Sequence, residues 1–302
     1  MNRRGFLSAL SAVPLVGLQP LRVAAEYRVG TKTVTSVSDG NLVLPGDMVF
    51  DGLPQDELAA ILEQYGISRE QILPPCNLTL LQDGERTILF DAGSGSAFMP
   101  SAGEIVESLD AVGVAPEDVT HVVFTHAHPD HLWGVLDDFD DPVFYDAEHL
   151  ISQPEWDYWT DPDTVNTIGE TRASFAVGAA RRLDAIADQM SFFEDQDEVL
   201  PGVLAHLTPG HTPGHTSFEI RDGKNALMVV GDAIVNHHVA FARPDWPSGT
   251  DQDQETGAQT RMKLLDRLVA DDIALLGFHL PKGGVGRVER AGTAYNFVAK
   301  GD

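Results

Sequence analysis

Six consecutive residues, His126-Ala127-His128-Pro129-Asp130-His131, carry three imidazoles and a carboxylate. Imidazole nitrogen and carboxylate oxygen are the donors that zinc and similar divalent ions take. A single histidine would ordinarily be a packed or surface residue. Three in six positions with an aspartate among them point instead to a metal site. His126 and His128 lie two apart at the end of a β-rich run, Thr120–Phe124, so extended backbone projects both rings to one side. Pro129 keeps His128 extended and then opens a turn or helix, which swings Asp130 and His131 elsewhere. The spacing therefore splits the donors into two sets, one for each of two neighbouring ions.

Three later residues fit the same chemistry. His211 sits in Pro209-Gly210-His211-Thr212-Pro213-Gly214-His215, where Gly and Pro predict a tight, rigid loop. Asp232 ends the apolar run Ala226–Val230, where a buried carboxylate is costly unless paired or bound to metal. His279 follows the apolar run Ile273–Phe278. Each ends a hydrophobic strand, the place where α/β architectures build their sites.

The elements that must position these donors are legible from turn signals and periodicity. Strands are expected around Thr31–Val37, Leu78–Leu81 and Thr87–Phe90, with Asp83-Gly84 making the tight turn between the last two. The same grammar returns in Ser217–Ile220, Asp222-Gly223 and Leu227–Val230, and both hairpins end in Asp-Ala, which suggests two related halves. Ser101-x-x-Glu104 reads as a capping box before a helix carrying Ile105, Val106, Leu109 and Val112. Residues 168–190, from Phe175, Val177, Ala180, Leu183 and Ile186, and a segment with Met262, Leu265, Leu268 and Val269 read as amphipathic helices, the latter following the acidic loop Asp251–Glu255. Interleaved strands and helices predict a layered α/β sandwich with mixed sheets.

The chain has 302 residues, 46 acidic against 20 basic, and a formal charge of −26, which disfavours nucleic acid and anionic membrane surfaces as partners. Its single cysteine, Cys76, rules out an intramolecular disulfide and a multi-thiolate metal site. Residues 1–25 read as an export signal: Arg3-Arg4-Gly5-Phe6-Leu7, a short apolar run to about Leu18, and small residues up to Ala25. The paired arginines resemble the bacterial twin-arginine signal, so a periplasmic or secreted protein without a stable membrane anchor is expected. No linker divides residues 26–302, which are read as one domain.

The order His-x-His-x-Asp-His, Pro-Gly-His, Gly-Asp and a late His resembles the metallo-β-lactamase superfold in its two-metal hydrolase form. Ser38-Asp39-Gly40, Phe90-Asp91-Ala92-Gly93 and Phe278-His279-Leu280-Pro281 are most similar to its methyl parathion hydrolase branch, which also holds lactonases and aryl esterases. The resemblance implies an α+β fold, a four-layer αβ/βα sandwich with two mixed β-sheets. It implies a first ion on His126, His128 and His211, a second on Asp130, His131 and His279, and Asp232 bridging both. Asp91 would orient a ligand from behind, and His215 would support the site without binding metal. Two divalent ions, Zn2+ foremost with Mn2+, Co2+ or Fe2+ also suited to such donors, would share an activated hydroxide, and Asp130 would pass a proton to the leaving group.

A bridging aspartate sets the chain apart from β-lactamases proper, which lack it, and Ala127 sets it apart from iron-dependent oxygen reductases of the superfold, which carry Glu there. The remaining expectation is hydrolysis of a small neutral or apolar substrate, a lactone or carboxylic or aryl ester, with phosphotriesters as the alternative. Trp133, Trp156, Tyr158 and Trp159 are expected to wall an apolar pocket. Relatives in this branch often pair, so a homodimer is an expectation of the resemblance alone.

Overall fold

The computed structural model describes residues 22–301. Their strands are β1 Val23–Val29, β2 Lys32–Asn41, β3 Leu44–Pro45, β4 Gln71–Ile72, β5 Pro75–Gln82, β6 Thr87–Phe90, β7 His121–Val123 and β8 Glu148–Ser152. Then come β9 Met190–Phe193, β10 Glu198–Leu200, β11 Val203–Leu207, β12 Thr216–Asp222, β13 Asn225–Gly231, β14 Ala274–Gly277, β15 Val285–Ala291 and β16 Ala294–Ala299. They form two seven-stranded sheets, ordered β1-β2-β5-β6-β7-β8-β9 and β10 through β16 in sequence, plus the short ribbon β3-β4.

Central strands are apolar on both faces because both faces are covered. Along β13, Leu227 and Val229 join the core between the sheets, while Met228 and Val230 join Leu264, Leu265 and Leu268 of the helix Gln254–Ala270. Val122 and Val123 of β7 divide likewise, Val122 siding with the helices Ile105–Asp110 and Ala173–Ala185. The result is four layers, helices, sheet, sheet and helices, as the resemblance implied. Each sheet contains the same unit once: a hairpin closed by Asp-Gly, β5-β6 or β12-β13, whose second strand pairs in parallel with a strand that leads to a histidine, β7 or β14.

Three expectations need correction. The Ser101–Glu104 capping box does not form: Ser101 Oγ donates to the Asn41 carbonyl, and the following helix is held by Ile105 N donating to Asp39 Oδ1. Residues 168–190 are three pieces, a 3-10 turn at Glu170–Arg172, the helix Ala173–Ala185 and another 3-10 turn at Ala187–Gln189. Val177 on that helix is 60% exposed and lies outside the core. The expected leader falls outside the described residues apart from its end, which opens β1; cleavage after Ala25 would leave Glu26–Val29 paired with Lys32–Thr35. Among the described residues no helix is long and apolar enough to cross a membrane.

Candidate metal centre

Strand ends deliver the donors to one rim. Asp91 follows β6, Thr125 to His131 follow β7, His211 follows β11, Asp232 follows β13 and His279 follows β14. Thr216 N donates to the Thr125 carbonyl (2.9 Å), tying the two sheets together at this rim. His128 is extended, with φ −67° and ψ 161°, and caps the short helix Pro129–Leu132 that Pro129 opens. That turn separates the donors as its sequence requires.

All seven expected donors are buried and meet in one cluster. His126 Nε2 stands 3.1 Å from His128 Nδ1, which stands 2.8 Å from His211 Nε2. Beside them Asp130 Oδ2 lies 3.3 Å from His279 Nε2 and 3.5 Å from His131 Nε2. Asp232 spans the two groups: Oδ2 is 3.3 Å from both His211 Nε2 and His279 Nε2, and Oδ1 is 3.4 Å from His131 Nε2.

These residues fit a pair of divalent ions. Asp130 Oδ2, His131 Nε2 and Asp232 Oδ1 are buried without a hydrogen-bond partner. Each such group costs about 1–3 kcal/mol, and an unpaired carboxylate more, unless a cation meets it. Burial, reinforced by neighbouring imidazoles, holds His126 and His128 well below the usual histidine range, so both are neutral with lone pairs free to donate. At His131 burial disfavours the charged ring, but Asp130, Asp91 and Asp232 outweigh it and carry the imidazole up to about 10. The carboxylates thus hold surplus negative charge at the second group, which is what a dication satisfies.

A surrounding layer fixes the ring orientations. His131 Nδ1 is 2.8 Å from Asp91 Oδ2, whose carboxylate also accepts from Thr125 N (2.8 Å) and Thr125 Oγ1. Asp91 holds φ at 66°, a conformation that aspartate and asparagine tolerate better than most residues. His279 Nδ1 donates to the Pro75 carbonyl (2.8 Å), and His211 Nδ1 lies 3.2 Å from Asp251 Oδ1. His215 supports the cluster from behind: its Nε2 accepts from Asp232 N (2.9 Å), which places the proton on Nδ1, facing Thr208 Oγ1. Burial brings His215 down to about 3, so it stays neutral. Gly231 is required here, because a Cβ would come within 2.7 Å of that Nε2.

Sequence reasoning missed four residues around the site. Glu155, fully buried, ties the two histidine loops: Oε1 accepts from Ala127 N and Trp159 Nε1, Oε2 from Thr212 Oγ1 and Gly214 N. Asp251 orients His211, and Arg172 donates to the carbonyls of Gly249 and Thr250 just before it. Cys76 lies beside Asp130 and His279. None of the four has a local signature, since each acts across a long stretch of chain.

Above the donors opens a cleft of about 660 Å3, lined by Leu42, Leu44, Met48, Phe98, Met99, Ile168, Phe175 and Val235, with His128, Asp130, His211, Asp232 and His279 at its base. Arg172 supplies its one guanidinium near the base. The aromatics expected to wall it do not: Trp159 is 1% exposed and bonds Glu155, Trp133 packs in the core under Arg182, and Trp156 and Tyr158 line no part of the cleft. Trp156, Tyr158 and Trp159 of the helix Gln153–Thr160 pack in or against the same core as Trp133.

The sequence matches the family model of the metallo-beta-lactamase superfamily over residues 72–278, a stretch that holds six of the seven donors and stops one residue before His279. The chain belongs to this superfamily. Among curated relatives, it is 29% identical over 136 residues to N-acyl homoserine lactonase AttM of Agrobacterium fabrum, covering 44% of this chain and 48% of that protein. With AttM of Azorhizobium caulinodans identity is 30% over 149 residues, 48% and 53% of the two chains. The chain thus spans about half the length of these relatives. Two solved structures superpose over nearly the whole chain. AidC, described as a dizinc quorum-quenching lactonase in complex with a product, gives a TM-score of 0.87 at 25% identity over 93% of this chain and 99% of that one. The hydrolase AbOPH gives 0.85 at 26% identity over 93% and 98%.

Proposed function

We propose that this superfamily member is a two-ion hydrolase, zinc being the preferred metal, that cleaves lactones or carboxylic and aryl esters with apolar acyl groups. The observation that carries the reading is the joining of two donor groups by Asp232 at the foot of an apolar cleft. His126, His128 and His211 would hold one ion, Asp130, His131 and His279 the other, and Asp232 would serve both. Bound ions of this kind supply Lewis acidity and lower the pKa of water towards neutrality. The protein does the rest. Phe98, Met99, Ile168 and Phe175 take up the acyl portion and exclude water from it, which favours neutral, small substrates. Asp130 Oδ2 faces His131 and His279, whereas Oδ1 makes neither contact and is the atom placed to carry a proton to the departing alkoxide. The lactonase relatives and the AidC likeness favour lactones. The leader-like residues 1–25 support export of this activity from the cytoplasm.

The test is a substrate panel on the metal-loaded protein: γ- and δ-lactones of graded acyl length, aryl esters, phosphotriesters and a carbapenem. Lactone or ester turnover, lost on removal of metal and restored by Zn2+, is expected. Hydrolysis untouched by metal removal would refute the mechanism, and turnover of phosphotriesters alone would replace the substrate class.

A further inference from the structure

We propose that Cys76 is a ligand of the second ion, so that this ion sits in a mixed sulfur, nitrogen and oxygen donor set. The inference rests on the two-ion reading of the site and concerns a residue that reading does not use. Cys76 Sγ, a ligand oxygen of Asp130 and a ring nitrogen of His279 all lie within 4.8 Å of one another. Donors on one zinc, at about 2.0–2.3 Å from it, stand no more than about 4.5 Å apart, so small movements close this triangle on an ion. Asp130 Oδ2, 3.3 Å from His279 Nε2, is buried and has no hydrogen-bond partner, which marks this corner as one that awaits a cation.

The placement of Cys76 is fixed by its neighbours. Antiparallel β5 begins at the rim where β6 ends, so its first residues lie beside the site. Pro75 accepts from His279 Nδ1, while Asn77 Nδ2 donates to the carbonyls of Phe278 (2.9 Å) and Leu280 (2.8 Å). The residues on either side of Cys76 therefore grip the His279 turn, and the thiol between them is held against it. Cys76 packs in the core, and its sulfur also meets the side chain of His279, a donor to the same ion. On binding, the S–H proton passes to solvent as the sulfur–metal bond forms, and no oxidant or reductant takes part. Thiolate favours zinc over manganese or magnesium, which links Cys76 to the choice of metal.

Cobalt substitution tests this without reference to activity. The chain has one cysteine, so any thiolate-to-cobalt charge-transfer band must come from Cys76. Full-length protein loaded with two equivalents of Co2+ is expected to show that near-ultraviolet band along with the visible ligand-field bands. Cys76→Ser should lose the charge-transfer band and bind the second ion about tenfold more weakly, with ligand-field bands remaining. Two bound Co2+ with ligand-field bands but no charge-transfer band in the unaltered protein overturns the assignment of Cys76 while leaving the two-ion site standing. Failure to bind two ions at all overturns both.

Discussion

Asp91→Asn isolates what the residues behind the donors contribute. Asp91 is 1% exposed and its carboxylate takes three donors, His131 Nδ1, Thr125 N and Thr125 Oγ1. Asparagine tolerates the φ of 66° and keeps the volume, so the backbone has little reason to move. Its amide offers one acceptor oxygen where the carboxylate offers two. If that oxygen serves Thr125, the NH2 group faces His131 Nδ1 and requires it to become an acceptor. The ring proton then shifts to Nε2, the atom turned towards Asp130 and Asp232, and blocks the donor itself. Loss of a buried charge-assisted bond is worth roughly 1.5–3 kcal/mol, consistent with the 10- to 100-fold loss of metal affinity typical of such changes. Competition with a chromophoric chelator should show one of two dissociation constants rising by about that factor. The other, belonging to His126, His128 and His211, should stay within about threefold. Circular dichroism and thermal unfolding check that the fold persists. Two unchanged constants, or two that weaken equally, would refute the reasoning.

Glu155→Gln should destabilise the protein by about 2–4 kcal/mol in urea unfolding, because its NH2 group faces two of the four buried donors that the carboxylate accepts; a change below about 0.5 kcal/mol would dismiss its role as a tie between the histidine loops. Phe175→Ala should raise KM for long-chain lactones about tenfold with kcat within a factor of three, as roughly 1–2 kcal/mol of apolar contact is lost, and leave short-chain substrates unaffected. Equal effects at all chain lengths would place the acyl group elsewhere. Burial opposes ionisation of Glu219, but His206, Arg221 and Arg267 prevail and hold its carboxyl at about 2 instead of 4.5. Because the folded value is depressed, this stabilisation is full above pH 4.5 and fades as pH falls towards 2. After allowance for screening it is on the order of 2 kcal/mol. Urea midpoints of the unaltered protein and Glu219→Gln should therefore differ at pH 6 and converge near pH 2; a constant difference would contradict the linkage.

What the sequence makes legible is whatever local pattern determines. His126 and His128 share a side through period two, Pro129 ends the strand geometry, and Asp232 and His279 stand where apolar runs stop; all seven donors are found together for these reasons. The Asp-Gly hairpins are equally local, and β6 begins and ends where its pattern says. What escapes is decided by contacts across the fold. Asp251 looks like one acid among several in its loop, yet it alone faces His211. Glu155 lies in the first turn of its helix with nothing local to mark it, yet it is buried and receives donors from two distant loops. Ser101 had a partner in sequence but found a closer one in Asn41. Trp156, Tyr158 and Trp159 pack in or against the core, and the cleft was left to Phe98 and Met99, which no local signal marks, and to Phe175, whose helical spacing says nothing of a cleft.

The arrangement of the seven donors is tested most directly by crystals of the metal-loaded protein, with anomalous scattering recorded at the zinc edge. The expected map has two peaks, one among His126, His128 and His211 and one among Asp130, His131 and His279, with Asp232 touching both. A single peak, or a second one away from Asp232, would contradict the account.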